Sequence, residues 1–364
     1  MSLKQIPRDP LRFDLLELFA VYGLHERISL TDPAATESFV DRVRESIKAS
    51  LAHESLLHGL QAQAMFEGLV VSLGRVRFCK QEDVGNAYSG EEDLRIPDFS
   101  VVLPDGSRYL IEVKNHFQGM RSFKDFRMRA HDLDGLARYA AMMDCELRLA
   151  IYWTRWNRGS LVPPSTFVGF GRYRVLSMRN AFMADEMAIL GDRWIGAKFP
   201  LTLRLVVDES KPRSVGVDGR VEFTIGDVHV LCADRLVTDE VERRIALFLM
   251  LYGEWEHEGP RARIIDGQLQ SIDHQVRPAR DHGQGFEVIG SMSSMHSSFH
   301  RQATAGEQGM TQLRMAIAPG ALGNMIPDGY RGDALPLWIF EMKPPLPGDQ
   351  SVVADGTAED TARS

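Results

Sequence analysis

Apolar residues alternate between helical and strand spacing along the first half of the chain. Between His53 and Leu73 they recur at the helical period, and a strand-length run follows from Val76 to Lys80. A second amphipathic helix is predicted between Asp132 and Met143, and a buried strand from Leu147 to Trp153. Because a strand, a crossover helix and a further strand form a βαβ unit, the last strand is expected to lie parallel to its partner.

A β-hairpin is predicted between these segments. Phe99 to Leu103 and Tyr109 to Val113 are apolar, β-branched and aromatic runs of strand length, and Pro104 to Ser107 supplies the residues of a tight turn. Asp98 opens the first strand. Pairing of the two strands then places Asp98 at the end of the hairpin away from the turn.

The second strand of the hairpin presents two charged side chains on one face. Glu112 and Lys114 are two residues apart, so both are expected beside Asp98 while Val113 points to the other face. Two carboxylates that converge without a buried partner repel each other and favour a cation between them. Mg²⁺ suits so sparse a pair better than Ca²⁺ does, because it often binds through one or two carboxylates plus waters and substrate phosphate; Mn²⁺ is the alternative ion. Lys114 adds a positive charge that either orients the attacking water or stabilises the transition state.

This pattern resembles the PD-(D/E)XK nuclease superfamily: Pro97-Asp98 matches the first half of its motif and Glu112-Val113-Lys114 the second. The order of helix, strands, helix and strand also matches, over residues 50 to 165. The resemblance implies an α/β fold with a restriction-endonuclease-like core, a mixed central sheet flanked by helices. It implies a metal-dependent endonuclease acting on DNA, with RNA as the alternative substrate, and catalysis by Asp98, Glu112 and Lys114. It also implies a further acidic residue on the preceding helix, for which Glu67 is the candidate metal ligand beside Asp98 and Glu112.

The same resemblance implies roles in antiviral defence, restriction or repair, and action as a homodimer or with a partner protein. Three other interpretations stay open, one of them a hydrolase built on Ser291 to His300. Asp98, Glu112 and Lys114 can form a surface ion pair that needs no metal. Alternatively, the chain is a non-catalytic adaptor that binds nucleic acid or protein on a degenerate nuclease fold.

Composition indicates a globular protein, with 44% hydrophobic and 25% charged residues among 364. No apolar run is long enough to span a bilayer and no signal-peptide core is present, so we expect a cytoplasmic protein without membrane attachment. The three cysteines lack CxxC spacing and are expected to be reduced. A net charge of −8 argues against a broad nucleic-acid-coating surface but allows a local basic cleft.

One short segment concentrates positive charge just after the motif. Its cations are Arg121, Lys124, Arg127 and Arg129, interleaved with two phenylalanines and one acid. Such a segment suits a phosphate-contacting loop or helix start, with aromatic residues that anchor it or stack on bases. The alternative is a solvated amphipathic segment.

Beyond Pro163-Pro164-Ser165 the pattern predicts short strands, so a domain boundary is expected there. The predicted division is an N-terminal helical segment (1–50), the nuclease-like core (51–165), a β-rich α+β domain (166–343) and a disordered tail (344–364). His296 and His300 are four residues apart, but no third ligand is evident, so polar surface or core histidines are expected.

The motif letters occur a second time near the C-terminus, as Ile326-Pro327-Asp328 and Glu341-Met342-Lys343. The residues after Asp328 do not suit a strand, and two prolines follow Lys343 directly. We interpret this second occurrence as chance.

Overall fold

The computed structural model describes residues 3–4, 14–29, 31–84, 87–118, 124–216, 218–307 and 309–344. Within these ranges the helices are α1 (Asp14–Glu26), α2 (Pro33–Leu51), α3 (Glu54–Leu73), α4 (Ala130–Met142), α5 (Met178–Met183), α6 (Glu240–Tyr252) and α7 (Met292–Thr304). The first strands are β1 (Phe78–Gln81), β2 (Phe99–Val102), β3 (Arg108–His116), β4 (Phe126–Arg129), β5 (Glu146–Trp153), β6 (Arg158–Val162), β7 (Val168–Phe170) and β8 (Tyr173–Leu176). The remaining strands are β9 (Trp194–Ala197), β10 (Leu201–Val207), β11 (Ser214–Val215), β12 (Val221–Glu222), β13 (Ile225–Cys232), β14 (Arg235–Leu236), β15 (Glu256–His257), β16 (Arg261–Ile265), β17 (Gln268–Arg277), β18 (Glu287–Ser291), β19 (Ala305–Gly306), β20 (Gly309–Met310) and β21 (Leu337–Phe340).

A five-stranded mixed sheet forms the centre of the first half, in the order β1-β2-β3-β5-β6. The predicted hairpin is present: β2 pairs antiparallel with β3, and Phe99 lies opposite Ile111. β3 pairs parallel with β5, as the crossover rule predicts. The other two pairings in this sheet are antiparallel.

Helices cover both faces of this sheet. Ile111 and Val113 of β3 belong to a hydrophobic cluster that includes residues of α3. Leu110, on the opposite face, belongs to a second cluster with residues of α4. Gly74 caps the C-terminus of α3, and its φ of 66° lies in the left-handed region that favours glycine. A Cβ added to Gly74 would also lie only 2.8 Å from the Gly320 Cα, so the close approach excludes a side chain there as well. The structure is therefore a mixed α/β fold, and its identity as a restriction-endonuclease-like core stays a prediction.

The basic segment differs from its prediction. Residues 126–129 form strand β4, which pairs with β8, rather than a loop or a helix start. Phe126 and Met128 are buried while Arg127 and Arg129 are exposed, which is the two-residue period of a strand. α4 begins only at Ala130. Arg121 lies outside the described residues.

Strand pairing and core packing both cross residue 165. β4 lies before this position and its partner β8 after it. One hydrophobic cluster joins Leu69 of α3 and Phe99 of β2 to Ile195 of β9 and Met295 of α7. The division into domains stays a prediction, and residues 345–364 of the predicted tail lie outside the described residues.

The second half contains two larger sheets, one in the order β14-β13-β10-β17-β15 with β16 also on β17, and one in the order β18-β9-β21. α7 contacts α3, α6, β6 and β18, so it joins the two halves. Among the described helices, none has both the length and the apolar character needed to cross a membrane.

Candidate active site

Asp98 lies at the start of β2 and is fixed by hydrogen bonds from two other elements. Its Oδ1 accepts a hydrogen bond from Gln63 Nε2 of α3 at 2.5 Å, and its Oδ2 accepts one from the backbone N–H of Val113 in β3 at 2.6 Å. Its own carbonyl accepts a hydrogen bond from the Glu82 N–H at 2.9 Å. The carboxylate is therefore oriented by side-chain and backbone donors together.

Glu112 and Lys114 lie on the middle strand of the sheet, as the alternation predicts. Phe99 pairs with Ile111, so extending the antiparallel register by one residue places Asp98 opposite Glu112. The Lys114 ammonium donates a hydrogen bond to Glu112 Oε1. Glu112 is 8% exposed, whereas the Lys114 side chain is 37% exposed. The Glu112–Lys114 ion pair of the simpler alternative is therefore present, with a buried carboxylate and a partly exposed ammonium.

Negative charge accumulates at Asp98. Burial, and after it the nearby charge of Glu112, raise the pKa of its carboxyl to about 7. The Val113 hydrogen bond and Lys114 act in the opposite direction, and Asp83 adds to the increase. Lys114 therefore does not fully compensate the two carboxylates, and a bound cation would favour the ionised form of both.

Gln63 is the contact that sequence reasoning missed. An acidic residue was sought on α3, and the structure instead brings a neutral amide to Asp98. The available signal was position: Gln63 and Glu67 are four residues apart and share one helix face. Asp83, in the loop after β1, was also missed as a charged neighbour of Asp98.

Glu67 lies one turn further along α3 and pairs with another segment. Its Oε2 accepts a hydrogen bond from Arg314 Nη1 at 2.8 Å. The interactions that shift the Asp98 pKa do not include Glu67. Its role as a metal ligand stays a prediction.

The donor set of the site fits a hard divalent cation. Asp98 and Glu112 supply carboxylate oxygens, and each ionised carboxylate can accept about four hydrogen bonds or metal contacts. Burial and the charge of Glu112 raise the pKa of Asp98, and a bound cation would favour its ionised form. Over the described ranges, no group of three or more His, Cys, Asp or Glu side chains is arranged to hold a metal. An ion here would thus depend on two carboxylates, waters and substrate oxygens, a pattern typical of Mg²⁺.

The basic segment is attached to the end of β3. The Lys124 carbonyl accepts a hydrogen bond from Gln118 Nε2 at 3.1 Å and lies 2.9 Å from His116 Nε2. Arg127 and Arg129 project from the exposed face of β4. Three of the four predicted phosphate-contacting residues are therefore solvent-accessible, in a segment attached to the end of β3.

The other candidate residues do not assemble into a second catalytic centre within the described residues. Asp328 pairs with Arg75 at 2.6 Å, while Glu341 and Lys343 form an exposed pair at 3.6 Å. Ser293 donates to the buried Asp192 at 2.5 Å, which is a structural contact without a histidine. His296 and His300 are buried on α7, in agreement with core histidines.

Comparison with known proteins gives limited similarity, and that to solved structures. No protein-family model matches the sequence, and no curated protein matches it. Among solved structures, the chain is similar to Hjc, a Holliday junction resolvase from the archaeal hyperthermophile Archaeoglobus fulgidus. The match has 16% sequence identity and a TM-score of 0.24, and it covers 29% of this chain and 81% of the resolvase. A TM-score this low does not define a shared fold, so the proposed function depends on the geometry of the site.

Proposed function

We propose that the protein is a metal-dependent phosphodiesterase that cleaves DNA internally. The observation that supports it is the convergence of Asp98, Glu112 and Lys114 at one end of the β2–β3 hairpin, with the Asp98 pKa raised to about 7. Paired carboxylates with a neighbouring lysine provide what hydrolysis of a phosphodiester needs: cation ligands and a positive charge at the attacked phosphate.

Asp98 and Glu112 would hold Mg²⁺, with Mn²⁺ as a substitute and Glu67 as a further candidate ligand. When bound, the ion supplies Lewis-acid polarisation of the phosphoryl group and a more acidic water. Lys114 keeps its ammonium beside Glu112, and its partial exposure lets it approach a substrate oxygen and stabilise negative charge there. Gln63 and the Val113 N–H hold Asp98 in one orientation, so the ligand geometry is set before substrate binds.

DNA is the proposed substrate because exposed cations follow β3 in a segment attached to its end, while the whole chain is acidic. Lys124, Arg127 and Arg129 are suited to phosphate contacts, which position a nucleic acid without reading its sequence. RNA presents the same phosphates and is distinguished by the test. The resemblance to the nuclease superfamily is the basis for also proposing a role in defence, restriction or repair, and action as a homodimer or with a protein partner.

The test is cleavage of circular and linear DNA, and of RNA, by the purified protein with Mg²⁺, Mn²⁺ or EDTA. We expect metal-dependent cutting of circular DNA and a loss of at least about 100-fold in rate for Lys114→Ala, the typical effect of removing one charge-stabilising donor. Asp98→Ala should lose metal binding as well. Lys343→Ala is the matched control, because Lys343 stands in the second copy of the motif letters and is exposed.

The proposal fails if folded Asp98→Ala cuts as well as the wild type. Absence of cutting together with absence of Mg²⁺ binding by the wild type would instead favour the adaptor. Metal binding that requires Asp98, without cutting, would indicate that a partner protein must deliver the substrate.

A further inference from the structure

Strands β4, β8 and β7 form a small antiparallel sheet, and only one of its faces is covered. Phe126 and Met128 of β4 and Leu176 of β8 point inward, to the hydrophobic cluster that contains residues of α4. The residues that alternate with them point outward. The strand register arranges these outward residues in two cross-strand rows, which together we call the aromatic-basic face: Arg127, Val175 and Val168 in one row, and Arg129, Tyr173 and Phe170 in the other.

The aromatic-basic face is open, and its cations are available to a partner. Phe170 is 68% exposed, and Arg127 and Arg129 are exposed as well. Within the described ranges, neither of these two arginines forms an ion pair with a carboxylate of the chain. By contrast Arg174, on the inner face of the same sheet, lies 3.8 Å from the carboxylate of Asp134 in α4. The outward arginines can therefore bind anionic groups from outside the chain.

The sequence that forms β7 and β8 is basic, although the chain as a whole is acidic. No aspartate or glutamate occurs from Leu147 to Ala184, and this stretch contains six arginines. The net charge of the whole chain is −8. Positive charge is therefore concentrated in the part of the sequence that supplies two of the three strands. Charge complementarity then favours an anionic partner for the aromatic-basic face.

The aromatic rings of this face narrow the choice of anion. Phe170 and Tyr173 are directly paired across β7 and β8, which places their Cβ atoms about 4.5–5.5 Å apart on one face. The Arg172 guanidinium lies 5.2 Å from the centroid of the Tyr173 ring and adds a planar cation. Aromatic rings and guanidinium planes stack on unpaired bases of any sequence. In a duplex the bases already stack on one another, so these groups would favour a single strand.

We propose that the aromatic-basic face binds a single strand of nucleic acid. Phe170 and Tyr173 stack on its bases, and the arginines of the two rows, with Arg172, contact its phosphates. An anionic membrane is the other partner that basic and apolar groups could suit. The exposed apolar side chains here belong to a short sheet and not to an amphipathic helix, which disfavours insertion into lipid. The inference shares its row arginines with the proposed function, but this binding requires neither metal nor cleavage.

Binding is measured by fluorescence anisotropy in EDTA, where no metal-dependent cleavage occurs. The main probe is a labelled DNA strand of about 20 nucleotides, longer than the roughly 4–16 that one single-strand-binding module contacts. The other probes are an RNA strand of the same sequence, the DNA duplex, and a strand of equal length in which abasic sites replace the bases. We expect at least one of the two single strands to bind about tenfold or more tightly than both the duplex and the abasic strand.

Substitution of the rings should remove this preference. Phe170→Ala should lower the affinity for the single strand about tenfold, the typical size of one base–aromatic contact, and leave binding of the abasic strand unchanged. Tyr173→Ala should act in the same way, whereas Tyr173→Phe keeps the ring and should keep the affinity. Tyr88→Ala is the matched control, because Tyr88 is 94% exposed and lies in the loop between β1 and β2.

Substitution of the arginines should affect every probe alike. Arg127→Gln and Arg129→Gln each remove a phosphate contact, so each should weaken binding of the abasic strand as well and reduce the salt dependence of binding. Arg42→Gln is the matched control, because the Arg42 side chain is 69% exposed on α2.

Equal affinity for the single strands, the duplex and the abasic strand would overturn the inference, as would unchanged binding in both Phe170→Ala and Tyr173→Ala. Binding to vesicles of anionic lipid that depends on Phe170, without a preference for single strands, would assign the face to a membrane instead. Failure of this inference leaves Asp98-dependent cleavage intact. Failure of the proposed function leaves single-strand binding in EDTA intact, so the two results are distinguishable.

Discussion

At the scale of single residues, Asp98 combines two hydrogen bonds with a raised pKa. The Gln63 and Val113 donors stabilise its charge, but burial and the charge of Glu112 outweigh them. When folding raises the pKa of an acid, the folded protein keeps a proton at pH values where the unfolded chain has already released it. Ionised Asp98 therefore destabilises the protein without metal, and a cation at the site would reverse the effect.

Asp98→Asn should flatten the pH dependence of stability in EDTA. The Asp98 contribution is fully present below its ordinary pKa of 3.8 and is lost as the pH rises through about 7. Between pH 5 and pH 8 the wild type should lose on the order of 2 kcal/mol more free energy of unfolding than Asp98→Asn, measured by urea denaturation. Parallel stability curves would show that the Asp98 pKa is not raised.

Glu67 and Arg314 allow the role of Glu67 to be tested with a matched pair of variants. Glu67→Gln and Arg314→Ala both break the same ion pair. If Glu67 contributes to metal binding, only Glu67→Gln should raise the Mg²⁺ concentration needed for half-maximal cleavage. The expected increase is about tenfold, the lower end of the loss in metal affinity when a residue around a metal site is replaced. Equal values for the two variants would assign Glu67 a structural role.

The sequence could predict Asp98, Glu112 and Lys114 because strand alternation and a short hairpin fix their relative positions locally. Gln63 could not be predicted in the same way. Which turn of α3 faces Asp98 depends on how the helix packs on the sheet, and the amide of Gln63 carries no charge that would mark it as a partner.

At the scale of elements, α7 contacts α3 closely through a buried histidine. His296 is 3% exposed, and a Cβ added to Gly68 of α3 would lie 3.1 Å from its Nε2. Burial lowers the pKa of His296 to about 3, with His300 as a further cause. The contact between these helices therefore depends on a neutral imidazole.

Acid should weaken this contact. A histidine whose folded pKa is depressed contributes stability above its ordinary value of 6.5, and that contribution is lost as the pH falls toward 3. From pH 7 to pH 4.5, wild-type stability should fall by about 2 kcal/mol more than that of His296→Met, in which a neutral side chain fills the site. His257→Met, at an exposed position, should retain the wild-type slope. A wild-type slope in His296→Met would refute the prediction.

The elements that the sequence predicted well are those with short-range partners. The hairpin of β2 and β3, helix α4 and strand β5 follow one another within residues 99–153. β4 was missed because its charged positions suggested a loop and its partner β8 begins 44 residues after β4 ends. In β4, Phe126 and Met128 alternate with two arginines. This two-residue pattern covers only four residues, which is too short to identify a strand from sequence.

At the scale of the whole molecule, the two halves share a hydrophobic core. Ile195 and Met295 are fully buried in the same cluster as Leu69 and Phe99. These segments lie about 100 to 230 residues apart in the sequence. Short-range sequence patterns cannot predict contacts over such separations.

A fragment of residues 1–165 should therefore fail to fold cooperatively. Without β9 and α7, the outer face of α3 would be exposed to water, and β4 would lose its partner β8. Circular dichroism should show a broad thermal transition for the fragment and one sharp transition for the full chain. A sharp transition for the fragment would establish the predicted boundary as a real domain limit.

The hydrogen bond from the Val113 amide to Asp98 makes the backbone a reporter of the site. In a ¹⁵N-labelled sample, the Val113 resonance should shift with a midpoint near pH 7 in EDTA, because its acceptor gains or loses charge there. Added Mg²⁺ should move that midpoint to lower pH. Occupancy of the site could then be followed by nuclear magnetic resonance in the unmodified protein, with no substrate and no probe attached.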